Sequence, residues 1–525
     1  MAIASPPSRV QNWIIAKPPA RGAKGMVVAQ ARAAAEAGAA VLGAGGTAAD
    51  AAVAAAFVLA AVEPWNSGLG GIGFALVHAA GDGRAKVVDF GPVSPARLDP
   101  KAFPIVPGTS PHLFAWPNVA GERNVHGPLS FVVPSAVAGY AELHRRWGRL
   151  PWRDLLAPAI AHARAGLAAD WFAALKIASA AADLRRYGES ARVYLPDGLV
   201  PAPPYVGPPK RLMLGRLAET LERLAEAGPE DFHRGEIAHA IAADVGALGG
   251  VLDAADLARC AARVTEPSLH PWRDTMVQGA GGLTAAPTLG RVLEALAPSR
   301  FGKPDASFFS ALAEALQAAW RERLGTLGDA AAGPRAAEAC TTHLTAVDAE
   351  GTMVSLTSTL LSSFGSRVVL PATGILMNNG VFWFDPRPGT PNAIGAAKRP
   401  LCNMCPVIVA RDGRPMLAAG ASGGRRILAA VVQLLLFVLE FGMDATQAAH
   451  HPRIDVSGET GVAMDPRLDP LIRAALRERF GAEEIEHTVL PVNYACPNVI
   501  VRETDGTYTG VPDVMTPGSA AVAVA

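Results

Sequence analysis

The clearest pattern along the chain is an alternation of apolar and polar positions on both sides of a short link, residues 349–351. The flanking segments, 340–348 and 352–359, both alternate with a period of two. Two such runs joined by a short glycine-containing link predict the strands of a β-hairpin.

The hairpin fixes which side chains face each other. A three-residue loop with Gly351 in the left-handed region places Asp348 opposite Thr352. Counting outward from that pair, Thr341 faces Thr359. Directly opposed residues lie about 5 Å apart at Cβ, so two hydroxyl groups can meet at the open end of the hairpin.

Helical spacing of apolar residues predicts helices over 27–42, 48–62, 308–324 and 427–439. Thr47 is expected to cap the second of these helices. Strands are predicted over 87–90 and 374–379, and a second hairpin over 407–419. The apolar runs are shorter than the roughly 20 residues that span a membrane, so they predict buried helices.

Gly68, Gly70 and Gly73 match the dinucleotide-binding pattern GxGxxG. That fingerprint needs a strand before it and a helix after it, whereas here the predicted order is helix and then strand. The glycines therefore predict a helix-to-strand turn packed against another backbone.

The composition limits the classes of function. The chain has 525 residues, 50% of them hydrophobic, with 47 basic and 47 acidic side chains and no long run of one charge. Nothing in this balance favours a nucleic-acid or membrane partner. Residues 1–22 lack the apolar run of a signal peptide, so a cytoplasmic protein is expected.

No metal or cofactor is expected. The chain contains neither HExxH nor a Walker loop. Its five cysteines are odd in number and irregularly spaced, which disfavours a disulfide framework. Cys402 and Cys405 form a single CxxC pair followed by Pro406, which disfavours a redox or zinc role.

Residues 328–339 are mostly small and lead directly into Thr341. A threonine that begins a strand after such a linker, and that meets a second hydroxyl, suits self-processing. Its oxygen attacks the carbonyl of Cys340, and hydrolysis of the resulting ester frees an α-amine with a pKa near 8 that can act as a base. The pattern alone leaves an ordinary Thr-rich strand open.

A second nucleophile is also possible. Residues 420–424 match G-x-S-x-G around Ser422, between a predicted strand and a predicted helix. Asp455 and His487 follow in the order of a serine-hydrolase triad. The glycines after Ser422 could instead offer backbone N–H groups to a developing oxyanion.

Several stretches, in the same order, resemble the γ-glutamyltransferase (glutathione hydrolase) family of N-terminal threonine hydrolases. They are 45–54, 63–64, 67–71, 133–139, 156–160, 341–343, 374–379, 398–401 and 422–424. The resemblance covers about 24–455 and implies an α+β fold, the four-layer αββα sandwich of N-terminal nucleophile (Ntn) hydrolases. It also implies one domain cut into a large subunit, 1–340, and a small subunit, 341–525.

By this resemblance, Thr341 is the nucleophile and the new N-terminus, Thr359 supports it, and Gly423 and Gly424 form the oxyanion hole. The G-x-S-x-G match around Ser422 is then explained by the glycines that follow it, which form the oxyanion hole. The partners implied are a small amide, water or an amino-acid or peptide acceptor, the two subunits of one precursor, and possibly a second copy of that heterodimer.

The residues that would hold a glutamyl group differ from the family pattern. Gly91 stands where Asp-Phe-Arg-Glu carries arginine, and a guanidinium pairs with a carboxylate in a way that glycine cannot replace. Arg367 or Arg399 could substitute for it. The short stretch 385–398 predicts that the family's lid is missing. The substrate-binding residues predicted here are Cys402, Asn403, Asn379 and Trp383.

The sequence therefore predicts a threonine hydrolase or acyltransferase that cleaves γ-glutamyl or related small amides, such as glutathione-type substrates, through an acyl-enzyme. An acylase of the same family with a more apolar acyl group is one alternative. An unprocessed binding protein, or a serine hydrolase that uses Ser422, are alternatives of other classes.

Overall fold

The computed structural model describes residues 17–110, 114, 116–327, 340–485 and 494–524. The strands are β1 (Ala20–Gly22), β2 (Gly25–Ala29), β3 (Ile72–His78), β4 (Lys86–Phe90), β5 (Ile105–Thr109), β6 (Pro117–Val119), β7 (Leu167–Ala168), β8 (Arg211–Leu212), β9 (Arg263–Thr265), β10 (Ser268–Trp272), β11 (Thr275–Gly279), β12 (Cys340–Asp348), β13 (Met353–Leu361), β14 (Val407–Arg411), β15 (Arg414–Ser422), β16 (Ile454–Asp455), β17 (Ala463–Met464), β18 (Glu483–Glu484), β19 (Cys496–Arg502), β20 (Tyr508–Val511) and β21 (Ala520–Ala523).

The α-helices are α1 (Arg32–Gly43), α2 (Ala48–Val62), α3 (Ala136–Trp147), α4 (Trp152–Ala165), α5 (Trp171–Leu184), α6 (Gly188–Tyr194), α7 (Leu217–Ala227), α8 (Glu230–Arg234), α9 (Glu236–Ala247), α10 (Ala254–Arg259), α11 (Ala286–Leu296), α12 (Ala306–Leu327), α13 (Arg426–Leu439), α14 (Ala445–His450) and α15 (Pro470–Phe480). No helix in these described ranges is both long and apolar enough to cross a bilayer.

Two seven-stranded sheets form the centre of the molecule. Sheet I has the order β21-β2-β12-β13-β3-β4-β9, and sheet II has the order β1-β20-β19-β15-β14-β11-β10. Apolar side chains of both sheets, among them Met26, Ile72, Ile408 and Ile500, form one buried core between them. The helices before β9 cover the outer face of sheet I, and α11 to α15 cover that of sheet II. The predicted four-layer αββα sandwich is confirmed.

Both halves of the chain contribute strands to both sheets. Sheet I takes β2, β3, β4 and β9 from the part before Thr341, and β12, β13 and β21 from the part after it. Sheet II combines β1, β10 and β11 with β14, β15, β19 and β20. The two predicted subunits therefore belong to one folding unit, since neither contains a complete sheet.

Helix α2 is buried along almost its whole length because alanine occupies most of its positions. At its start, the Thr47 side chain accepts from the Asp50 backbone N–H and the Asp50 carboxylate accepts from the Thr47 N–H, which confirms the predicted cap as a capping box. At its end, Glu63 stands before Pro64, where the ring of proline disfavours further helix. The helix thus delivers Glu63 to the interior.

Two of the predicted elements are wrong in part. The helix expected over 27–42 begins at Arg32, because 25–29 form the buried inner strand β2. A short apolar run in a fully buried strand carries no alternation that would distinguish it from a helix. The stretch 374–379 makes only isolated bridges, Val369 to Leu376 and Gly70 to Met377.

The glycine-rich turn after α2 is confirmed as a close packing of backbones. A Cβ added to Gly70 would lie 2.2 Å from the carbonyl oxygen of Leu376, and one added to Gly73 would lie 2.2 Å from that of Thr357. No larger side chain fits at either position. The turn therefore seats the start of β3 directly against β13.

Candidate active site

The predicted hairpin is present, and its open end brings two threonine hydroxyls together. Strands β12 and β13 pair with Thr342 opposite Ser358, and Gly351 in the loop has φ +94°. Between Cys340 and Thr342 the register shifts by a bulge. At that bulge the Oγ1 atoms of Thr341 and Thr359 lie 3.1 Å apart, as the register predicted, and both side chains are buried.

Thr359 is held in place by its own strand and its neighbours. Its Oγ1 accepts a hydrogen bond of 2.8 Å from the backbone N–H of Leu361, whose φ is +81°. Gly71 approaches from the other side, so closely that a Cβ there would lie 2.9 Å from the Thr359 carbonyl oxygen. The hydroxyl that faces Thr341 is therefore fixed in one orientation.

A buried carboxyl group lies next to the threonine pair. The hydroxyl of Thr342 donates to Glu63 Oε2 at 3.2 Å, and Glu63 is 2% exposed. Burial raises the pKa of Glu63 to about 7, although the hydrogen bond from Thr342 and the charge of Lys176 act in the opposite direction. Sequence reasoning missed Glu63, although the Glu63-Pro64 pair that ends α2 was visible.

The raised pKa of Glu63 predicts how stability depends on pH. Between about pH 4.5 and 7 the folded chain keeps a proton that the unfolded chain loses, so the free energy of unfolding falls as pH rises, by roughly 3 kcal/mol in all. Glu63→Gln, which resembles the protonated form, should lack this decrease. We expect the melting temperature of Glu63→Gln, relative to that of its parent, to rise between pH 5 and 7.5 when both are measured in uncleaved Thr341→Ala protein. If the two melting temperatures change with pH in the same way, the prediction is contradicted.

The end of β15 lies over the beginning of β12. Gln30 follows β2 immediately and lies beside β12 on the side of Thr341, because Val28 pairs with Thr345. Its side-chain amide donates to Ser422 Oγ at 2.5 Å. Two residues before Ser422 on β15, Gly420 packs on the imidazole ring of His343. A Cβ added to Gly420 would lie 2.3 Å from Cε1 of that ring.

The two glycines that follow Ser422 suit an oxyanion hole. Gly423 has φ +135° and Gly424 has φ +60°, conformations that favour glycine. They stand directly before α13, where the helix dipole favours negative charge. Among the described residues, neither N–H has a protein acceptor. Both donors are thus available at the end of the strand that faces β12.

The alternative serine nucleophile has no triad in the described part of the chain. Ser422 Oγ accepts from Gln30, and Asp455 accepts from Ser457 at 2.6 Å and lies 3.7 Å from Arg426. His487 falls outside the described residues. The hydroxyl of Ser422 is thus engaged by Gln30 and meets neither Asp455 nor a histidine among the described residues.

Of the four predicted substrate-binding residues, Trp383 and Asn403 line one small cleft, together with Arg425. Cys402 is 1% exposed, and its backbone carbonyl accepts from Arg323. Asn379 is also buried, and its amide bonds to Ser362 and to the carbonyl of Val125. Neither Cys402 nor Asn379 therefore lines this cleft.

The thiols of Cys402 and Cys405 are both free and buried. Burial raises the pKa of Cys402 to about 11 and that of Cys405 to about 12. Both thiols are therefore protonated at neutral pH, which makes them poor nucleophiles.

The place of the missing family arginine is filled by other side chains. A Cβ on Gly91 would lie 2.4 Å from the Phe74 ring and 2.7 Å from the guanidinium of Arg399. Arg399 itself pairs with Asp89 at 2.5 Å. Arg367, the other suggested substitute, lies 3.7 Å from Asp183 on α5. Both arginines are thus held by acids of the protein.

Segment 385–398, whose shortness predicts that the family's lid is missing, folds back on itself. Arg387 makes a two-pronged contact with the buried carboxylate of Asp385, and the Lys398 ammonium donates to the carbonyls of Pro391 and Ala393. These contacts brace the segment internally, and the Ser94 hydroxyl, which donates to the Gly395 carbonyl at 2.5 Å, ties it to the body of the protein.

Known proteins match this chain over most of its length. A family model described as gamma-glutamyltranspeptidase matches residues 34–339 and 334–523. Acylase ACY 1 proenzyme of Pseudomonas sp. (strain SE83) is 30% identical over 544 residues, which cover 96% of this chain and 94% of that protein. Glutathione hydrolase proenzyme of Escherichia coli (strain K12) is 28% identical over 517 residues, covering 86% and 85%.

Among solved structures, cephalosporin acylase from Bacillus halodurans has a TM-score of 0.84 at 24% identity and covers 98% of both chains. At that identity the likeness shows the fold alone. The family model and the two proenzymes carry the assignment further, to an enzyme. This chain belongs to the γ-glutamyltranspeptidase family of Ntn hydrolases.

Proposed function

We propose that this chain is a self-processing threonine acylase: Thr341 breaks its own bond to Cys340 and then hydrolyses small amides. The observation that supports this most directly is the 3.1 Å approach of the Thr341 and Thr359 hydroxyls at the start of a strand that follows the linker 328–339. A hydroxyl aligned by a second hydroxyl, beside N–H donors at a helix start, meets the requirements for acyl transfer.

Self-cleavage follows from that arrangement. Oγ1 of Thr341 attacks the carbonyl carbon of Cys340, the C–N bond breaks, and the nitrogen takes up the hydroxyl proton. The product is an ester between Cys340 and Thr341 with a free α-amine on Thr341. Water hydrolyses the ester, which leaves a carboxylate on Cys340 and restores the hydroxyl of Thr341.

Turnover of a substrate uses the same atoms. The α-amine of Thr341 takes the hydroxyl proton as Oγ1 attacks the substrate carbonyl, and the N–H groups of Gly423 and Gly424 stabilise the oxyanion. The proton passes to the leaving amine, and an acyl ester remains on Thr341. Water releases the acid; an amino acid or peptide could accept the acyl group instead.

The acyl group is the finer part of this proposal. An acylase is favoured over a γ-glutamyl enzyme because Gly91 removes the family arginine and Arg399 is committed to Asp89. Among the described residues that line the small cleft with Trp383 and Asn403, none is an aspartate or glutamate that could pair with the α-ammonium of a glutamyl group. The similarity to glutathione hydrolase proenzymes keeps γ-glutamyl amides as the second candidate.

Intact-mass spectrometry and an amide panel test this function. We expect the purified protein to separate into chains 1–340 and 341–525. It should cleave p-nitroanilides of short acids that lack an α-ammonium group with a higher kcat/KM than γ-glutamyl-p-nitroanilide. A chain that stays whole under all conditions would favour a binding protein. A preference for the γ-glutamyl compound would favour the second candidate.

A further inference from the structure

The two parts of the proposed active site lie on different sheets. Thr341 stands at the beginning of β12 in sheet I, whereas Gly423 and Gly424 follow β15 in sheet II. The space between the sheets is filled mainly by apolar side chains, whose attraction has no preferred direction. An oxyanion hole needs its N–H donors about 2.7–3.1 Å from the oxygen that becomes negative. A directional contact between the sheets is therefore needed to fix the glycines relative to the nucleophile.

Hydrogen bonds between the sheets supply such directional contacts. In the middle of the sheets, the Ser355 hydroxyl donates to the Ala419 carbonyl at 2.9 Å. At the end that carries the glycines, the Gln30 side-chain amide donates to Ser422 Oγ at 2.5 Å. Because Ser422 immediately precedes Gly423, this second bond acts directly beside the proposed oxyanion hole.

Gln30 is buried between the sheets, at a position where its amide is costly. It lies two residues after Val28, which belongs to the core between the sheets, and it is 3% exposed. Its oxygen Oε1 is buried and has no hydrogen-bond partner among the described residues. Such an acceptor costs about 1–3 kcal/mol, which a methionine of similar length would avoid. This loss of stability fits a functional role for the bond to Ser422.

The turn after Ser422 is supported from sheet II and from α13. Gly423 packs on Ala495, which directly precedes β19, so closely that an added Cβ would lie 2.7 Å from the Cα of Ala495. The carbonyls of Gly423 and Gly424 accept from backbone N–H groups in the first turn of α13, each at 3.2 Å. These contacts hold the glycines within their own layer, and the bond from Gln30 ties that layer to sheet I.

We propose that Gln30 is a positioning residue for the oxyanion hole. Through its bond to Ser422 it sets the distance from the two glycine N–H groups to the hydroxyl of Thr341. The inference rests on the proposed function and gives the serine of the G-x-S-x-G match a role other than that of a nucleophile. Since Gln30 belongs to the predicted large subunit and Ser422 to the small one, the large subunit completes the oxyanion hole.

A double-mutant cycle tests this role. Gln30→Met keeps the length of the side chain and removes the donor, and Ser422→Ala removes the acceptor. The substrate is pentanoyl- or γ-glutamyl-p-nitroanilide, whichever the cut wild type hydrolyses with the higher kcat/KM. We expect each single variant to lower kcat by about 10- to 100-fold, because a displacement of about 1 Å at a catalytic group has effects of that size. KM should change by less than about 2-fold, since the contact acts on the transition state.

The double variant shows whether the two residues act as one unit. If Gln30 works only through Ser422, the double variant should be about as active as the weaker of the two single variants. Independent effects would instead multiply, because the free energies of uncoupled substitutions add.

Ser355→Ala is the matched control. Like Ser422→Ala, it removes a buried hydroxyl that bonds between the sheets, but three residues away from Ser422 along β15, at the Ala419 carbonyl. We expect a similar fall in melting temperature and an unchanged kcat. Each variant is assayed only after intact mass shows that it has been cut to the same extent as the wild type.

The possible results are distinguishable. The positioning role is overturned if both single variants keep the wild-type kcat, if their effects multiply, or if Ser355→Ala lowers kcat as much as they do. Complete loss after Ser422→Ala with normal turnover after Gln30→Met would overturn it in favour of a serine nucleophile. A cut wild type that hydrolyses neither anilide would refute the proposed function, and this inference with it.

Discussion

Thr341→Ala is expected to leave the chain whole and to abolish hydrolysis. The substitution removes the oxygen that attacks Cys340, so cleavage has no nucleophile, and the α-amine that would activate the substrate reaction is never released. Because the same atom performs both reactions, we expect a single band at 54.3 kDa and a fall in amide hydrolysis of about 10³-fold or more. Denaturing electrophoresis, intact mass and the p-nitroanilide assay measure these effects.

Thr341→Ser is the matched control because it keeps the hydroxyl and loses only a methyl group. It should be cut, more slowly than the parent, and should keep measurable activity. If the alanine variant is cut at the same bond, or hydrolyses amides as the wild type does, another residue is the nucleophile. Ser422 would then be the next residue to replace.

Thr359→Val is expected to slow self-cleavage and turnover by about 10²-fold, because valine keeps the shape of the side chain but removes the hydroxyl 3.1 Å from Thr341. The change also leaves the buried N–H of Leu361 without its 2.8 Å partner, which costs about 1–3 kcal/mol of stability. The fraction of cut chain against time, followed by intact mass, gives the rate of the first reaction.

The stability loss is separated from the chemical effect by Thr357→Val. Thr357 lies two residues earlier on β13 and is equally buried, and its hydroxyl bonds to His343 Nδ1 at 2.9 Å. Replacing it removes a buried hydrogen bond without touching the pair at Thr341. We expect a similar fall in melting temperature and normal cleavage. Equal slowing in both variants would show that Thr359 acts only through stability.

The reactive pair could be predicted from the sequence because turn chemistry is local. A glycine at the left-handed position of a three-residue loop fixes the register of the strands, and the register then places Thr341 opposite Thr359. The bulge between Cys340 and Thr342 could not be predicted in this way, since it depends on how neighbouring strands meet the hairpin. The strand β2 was missed for a related reason, because a fully buried strand loses its alternation.

The substrate side was harder to predict because it depends on side-chain direction. Cys402 and Asn379 point into the protein, where Arg323 and Ser362 engage the segments that carry them.

The shared sheets have a further consequence for the order of the chain. The N–H of Val524 donates to the Gly25 carbonyl at 2.9 Å, and the ammonium of Lys17 donates to the Ser519 carbonyl at 3.0 Å. A short bridge between these neighbouring segments would close the polypeptide into a ring. Opening the ring before Thr341 would preserve every strand pairing and yield a circular permutant whose first residue is the nucleophile. Once the initiator methionine is removed, its α-amine would be free without self-cleavage, so the fold itself would not require a precursor.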